Sequence, residues 1–177
     1  KSLDSDGRVI YLGSLSKTLA HGLRLGYIVA APELIAELRA LRRLLMRHVP
    51  SNNAHIASLF IAQGHHDAFI RKLNVTYRER RRVLLDALAR CLPDCTVSEA
   101  HGGSGAWVQG PPGLDATALA QAAQARGVLI EPGAVFFARP TAAQNRCFRM
   151  GYSAIPSAAI EAGVRALQRA YLDGLAR

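Results

Sequence analysis

From about His66 to Cys91 the chain reads as one long helix, and this segment constrains the fold more than any other. Ile70, Leu73, Tyr77, Leu84 and Leu88 recur near one face, while Arg71, Arg78 and Arg82 fall where they can stay hydrated. Pro93 ends the pattern. Before it lie two short apolar runs, "RVIYLGS" (8–14) and "LGYIVAA" (25–31), which read as strands, the first of them buried. Pro32 suits the first turn of a helix carrying Leu34, Leu38, Leu41 and Leu45, and "PSNNAHIASLFIAQG" (50–64) opens a short helix on a capping cluster.

After Pro93 the texture changes. "CTVSEA", "GGSGAWVQG", "VLIEPG" and "RCFRMGYSAI" read as strands. Between them, "PPGLDATALAQAAQARG" gives a turn, an Asp115 cap, an alanine-rich helix and a glycine stop. Pro156 and Ser157 open a last helix whose packing stripe is Ile160, Val164, Leu167 and Tyr171. The order β-loop-β-α-α-α-β-β-α-β-β-α predicts an α/β chain, with the long helix as the hinge between two units near residue 75.

Composition excludes several classes. No apolar run approaches the roughly 20 residues of a membrane span, and no signal peptide is visible. Three cysteines without a CxxC spacing argue against a disulfide framework or a zinc knuckle and suit a reducing cytoplasm. His65, His66 and Asp67 form the one histidine cluster, but neighbouring helical residues point about 100° apart, so a helix start is expected there and no metal site. The net charge of +9 permits nucleic-acid contact. Its simplest reading is a solvated basic face, since the aromatic residues are too scattered to form a stacking platform.

The chemistry lies in the loop joining the first two strands. Lys17 is a surface lysine by default, but it follows an apolar strand and is crowded by Gly13, Ser14, Ser16, Thr18 and Gly22, with Arg24 seven residues on. Strand ends are where α/β folds place ligands. A lysine amine condenses with aldehydes once its pKa falls from about 10.4 through desolvation or nearby positive charge. An arginine fork and serine hydroxyls suit a phosphate. The loop does not match the GxxxxGK[ST] pattern of nucleotide-binding loops.

The segment "SLSKTLAHGLRLGY" resembles the cofactor-lysine segment of fold-type I pyridoxal-phosphate enzymes, the aspartate aminotransferase superfamily. "RGVLIEPGAVFF" resembles that family's small-domain Pro-Gly-x-x-F signature, and "RCFRMGYSAI" its strand bearing the substrate-carboxylate arginine. Within the superfamily, "GRVIYLGSLSKTLAHGLRLGYIVA" and "RHVPSNNAHIASLFIAQGHHDAFIRKLNVTYRERRR" look most like the effector domain of MocR/GntR-type transcriptional regulators.

The resemblance implies that Lys17 is the Schiff-base lysine of pyridoxal 5'-phosphate and that Ser14, Ser16 and Arg24 hold the cofactor phosphate. It makes Arg149 the clamp for an amino acid's α-carboxylate, with Phe148 and Met150 helping to exclude water. An ion pair at a strand end is the other reading of Arg149, and a simple loop hydrogen bond that of Ser16. The family's Asp-x-Tyr element, which holds the cofactor's ring nitrogen, is not matched by Asp4 or Asp6. The resemblance therefore implies the C-terminal part of the large domain (residues 1–75) and an α+β small domain (76–177), with cofactor binding by this segment alone expected to be poor.

Two functions fit the resemblance: an amino-acid- or amine-sensing domain of a cytoplasmic regulator, homodimeric and reaching DNA through an N-terminal winged helix outside this chain, or an amino-acid aminotransferase. A basic nucleic-acid module working through Arg78 to Arg82 is the third class.

Overall fold

The structure, a computed structural model, describes residues 2–175. The chain divides into two compact units, Lys1–Lys72 and Leu73–Arg177.

The first unit begins with an antiparallel ribbon of β1 (Tyr11–Ser14) and β2 (Gly26–Val29), in register from Tyr11↔Val29 to Ser14↔Gly26. Helices α1 (Pro32–Met46) and α2 (Ser51–Ala62) follow, and α3 (His65–Cys91) starts in this unit. Pro32 occupies the first turn of α1 as its fixed φ allows. The expected burial of the first strand is not found. Val9, Ile10 and Leu12 are exposed, as are Ile28 opposite Leu12 and Val29 opposite Tyr11. A two-stranded ribbon has two faces, and among the described residues of this unit none encloses either of them.

The second unit holds the core. Its sheet has the order β3-β4-β6-β5, antiparallel throughout, from β3 (Thr96–Val97), β4 (Gly105–Gln109), β5 (Glu131–Pro132) and β6 (Cys147–Gly151). Strand alternation sends Ala106, Val108, Phe148 and Met150 to one face, where all four are buried. Helices α4 (Ala116–Gln124) and α6 (Ser157–Leu175) and the C-terminal part of α3 contribute to the same cluster. The expected stripe of α6 is its buried face: Ile160, Val164, Leu167 and Tyr171 all join the core. On α3, Leu84, Ala87 and Leu88 do the same, while Arg71, Arg78 and Arg82 are exposed.

Strand β5 is shorter than its apolar run suggested, since Val128 to Ile130 lie before it. Pro132 has no N–H to continue a ladder, so β5 stops there, on the sheet edge where proline is tolerated. The chain then tightens into a 3-10 turn, Gly133–Phe136, passing so close to β6 that a Cβ on Gly133 would lie 2.6 Å from the Cys147 carbonyl oxygen. Short helix α5 (Ala142–Asn145), closed by a Thr141–Gln144 capping box, lies where the sequence showed no pattern.

Asp115 caps α4 as expected, its Oδ1 accepting from the Thr117 and Ala118 N–H groups at 2.8 and 3.1 Å. Gly127, at φ +76°, follows that helix in the left-handed conformation. Asp115→Ala is expected to cost about 1 kcal/mol, read as a lower urea midpoint with an unchanged slope.

Candidate functional site

The loop between β1 and β2 is closed at its base. The Leu15 N–H donates to the Leu25 carbonyl at 3.0 Å, and the Leu19 N–H folds back on the Leu15 carbonyl at 2.8 Å. Gly13 leaves room for the Tyr27 ring, which lies across it so closely that a Cβ would sit 2.2 Å from a ring carbon. Tyr27 also packs against Tyr11, with ring centroids 5.9 Å apart. Hydrogen bonding with Tyr11, then the Tyr11 charge and burial, push the Tyr27 phenol above its ordinary pKa.

A 3-10 turn, His21–Leu23, leads into Arg24, whose φ of +50° and ψ of 39° are left-handed. A non-glycine residue there costs about 1–2 kcal/mol. The neighbouring carbonyl is tethered: Asn53 of α2 donates through Nδ2 to the Leu23 oxygen at 3.1 Å. The cluster around Ser51 therefore does not cap α2, where no side-chain cap bond is made and Pro50 is the N-cap. Its Asn53 holds the lysine loop instead. Read as a cap in the sequence, Asn53 had no local signal for a partner 30 residues away.

The closed loop collects Ser16, Lys17, Thr18 and Arg24, with Ser14 at its entry. Lys17, Arg24 and Ser14 are exposed, and Ser16 and Thr18 are half-buried. From Gly13 to Tyr27 there is no carboxylate. A lysine, an arginine and three hydroxyls thus share one loop that holds no carboxylate, a donor set that suits a phosphate. The Thr18 Oγ1 is buried and has no hydrogen-bond partner among the described residues, so it is available to a phosphate oxygen or a water. The residues present fit the phosphate of pyridoxal phosphate.

Asp4 is otherwise engaged, its carboxylate accepting from the Arg8 and Val9 N–H groups at 3.1 Å each, and Asp6 pairs with the Arg8 guanidinium. Both acids organise the turn before β1.

In the second unit Arg149 lies on the outward face of the sheet. Register places it opposite Trp107 of β4 and opposite Glu131 of β5, so the three side chains form a row on one face. The expected shielding by Phe148 and Met150 is not found, because strand alternation turns both into the core on the other face. The Arg149 surroundings are instead Glu131, whose Oε2 accepts from Nη1, and Gly105, where a Cβ would lie 3.1 Å from Nε. Trp107 is walled by Phe136 and Phe137, edge-on at 5.6 and 6.1 Å between centroids. The ion-pair alternative for Arg149 is thus realised, with a partner the sequence reading did not single out. Glu131 could have been found from the alternation of the two strands once their pairing was known.

Among the described residues no helix is long and apolar enough to cross a membrane. His65, His66 and Asp67 form the first turn of α3.

The chain matches the Aminotransferase class I and II family over residues 2–167. It is 42% identical over 170 residues to the HTH-type transcriptional regulator TauR of Rhodobacter capsulatus, covering 96% of this chain and 35% of that protein. It is 33% identical over 168 residues to aromatic-amino-acid aminotransferase 1 of Thermococcus litoralis, covering 94% of this chain and 40% of that enzyme. Among solved structures, LysN, the α-aminoadipate aminotransferase of Thermus thermophilus complexed with N-(5'-phosphopyridoxyl)-L-leucine, superposes with a TM-score of 0.86 at 32% identity. That match covers 95% of this chain and 43% of LysN, so the chain spans well under half the length of the relatives it matches. With the α/β fold of the fold-type I aminotransferases and a family match over nearly its whole length, the chain belongs to the aminotransferase class I and II family.

Proposed function

We propose that this chain is part of a pyridoxal-phosphate-binding, amino-acid- or amine-sensing domain of a MocR/GntR-type regulator. Residues Lys1–Lys72 would be the C-terminal part of the large cofactor domain, and Leu73–Arg177 the small domain. The observation that carries the reading is the closed loop around Lys17: cations and hydroxyls without a carboxylate, and a buried Thr18 hydroxyl left unpaired. The 42% identity to TauR over 96% of the chain favours a regulator.

Pyridoxal phosphate, when bound, supplies an electrophilic aldehyde carbon and an electron-withdrawing ring. Lys17 would hold the cofactor through its ε-nitrogen, and that amine would be the group an incoming amine replaces. Arg24, Ser14 and Ser16 donate to the phosphate, and the tethered Leu23 carbonyl holds Arg24 in its turn. Arg149 donates to a ligand carboxylate with the planar fork that suits one. Release of Lys17 changes the contacts of its loop, and a difference in ligand affinity between two domain arrangements would shift DNA binding. The protein would act in the cytoplasm as a homodimer, with DNA read by a winged helix outside this chain.

The decisive experiment uses the full-length protein with cofactor at fixed salt. An added amino acid should change its affinity for promoter DNA, and Arg149→Ala should weaken that ligand by about tenfold to a hundredfold, as expected for lost charge-assisted hydrogen bonds. An unchanged ligand affinity would make Arg149 structural. The second reading, an amino-acid aminotransferase, is favoured by the likeness to the Thermococcus litoralis enzyme and to LysN. There Lys17 would carry a proton between the substrate α-carbon and the cofactor, and steady turnover of amino acid with keto acid, without a DNA response, would select it.

A further inference from the structure

Arg149 does not await a ligand with its charge unmet. Glu131 stands directly opposite on the neighbouring strand, and its carboxylate accepts from the guanidinium Nη1. On another side the guanidinium lies against bare backbone, since a Cβ on Gly105 would sit 3.1 Å from Nε and 3.3 Å from Nη2. The fork is therefore partly occupied from within the fold.

The pair is not a buried strut. The Glu131 side chain is 54% exposed and that of Arg149 36%. Glu131 also lies on the edge strand, two residues before the turn at Gly133. An ion pair this open contributes little to stability. Its carboxylate can rotate into water without leaving a buried charge behind, so exchange for another anion is feasible but not free. An amine bearing a carboxylate on the amine-bearing carbon competes with Glu131 for the Arg149 fork. An amine lacking it leaves the pair intact and incurs no such exchange.

Resting on the ligand reading proposed above, we infer that Glu131 is a specificity-determining residue. It is an internal competitor for the Arg149 fork that reduces the advantage of an α-carboxylate and admits primary amines without one. This differs from an orienting role, in which Glu131 would hold the guanidinium in place and its loss would weaken carboxylate binding. The two roles predict opposite signs.

The test uses full-length protein loaded with pyridoxal phosphate and titrated with L-alanine and with ethylamine, which differ by the carboxylate alone. Binding is read from the perturbation of the absorption band of the lysine-bound cofactor. Glu131→Gln, nearly isosteric and at a half-exposed site, is expected to raise the affinity ratio of alanine to ethylamine about threefold to fivefold, the range for a partly exposed charge pair. The gain should come from tighter alanine binding, with ethylamine little changed, and Glu131→Ala should move the ratio in the same direction. An unchanged or lower ratio in both variants overturns the inference while leaving the ligand reading intact. A band that neither amine perturbs in the unaltered protein defeats both.

Discussion

Replacing Lys17 by alanine in the full-length protein is expected to abolish the absorption band of lysine-bound pyridoxal phosphate altogether. The effect would be all-or-none, because the proposed bond is covalent and the loop offers no substitute amine. The chain has three lysines, Lys1, Lys17 and Lys72. Only Lys17 lies in the turn closed by the Leu15–Leu25 hydrogen bond and shared with Arg24 and the serines. Lys72 lies on α3, outside that donor set. Lys72→Ala should keep the band, and Lys17→Arg should lose it, since a guanidinium retains the charge but not a nucleophilic amine. Arg24 and the serines remain in both Lys17 variants, so weak, reversible cofactor binding without the band should persist. A full band in Lys17→Ala would reject the assignment of the lysine and with it the function proposed for the loop.

How much of this was legible in the sequence depends on whether the controlling interaction is local. The Asp115 cap, the glycine stop at Gly127 and the stripe of α6 are set within a few residues, and all were readable. So was the composition of the lysine loop. What escaped was set across distance. Asn53 reads as a cap because Ser and Asn before an apolar run usually serve as one, yet its partner is the Leu23 carbonyl. Phe148 and Met150 flank Arg149 in sequence, but a strand turns adjacent residues to opposite faces, so they shield the core and not the guanidinium. Glu131 becomes the neighbour of Arg149 only through the β5–β6 register. Pro132 marked where β5 ends, but nothing local showed that Val128 to Ile130 would lie outside the strand.

The second large effect is expected in hydrogen exchange of this chain alone. Amides of β4, β6 and α6 should exchange at least about a thousandfold more slowly than those of the β1–β2 ribbon and α1, because core elements approach the global stability while uncovered ones open freely. The burial pattern leaves little room otherwise. Among the described residues of the first unit only Ala57 is buried. Helix α1 has no buried residue, and Leu41, Leu44, Leu45 and Met46 are all exposed. An isolated helix of 15 residues is marginal in water, and so is an isolated two-stranded ribbon. The second unit, by contrast, buries Phe148, Leu167 and Val164 almost completely. Exposed apolar surface on this scale marks an interface. Protection of α1 equal to that of α6 would show that the first unit needs no cover. The same burial governs the chemistry. Lys17 here is exposed, and the ribbon that carries its loop is uncovered. Cofactor capture by this chain alone should be weak, and any covering of the ribbon that raises the protection of α1 should strengthen capture by the loop the ribbon carries.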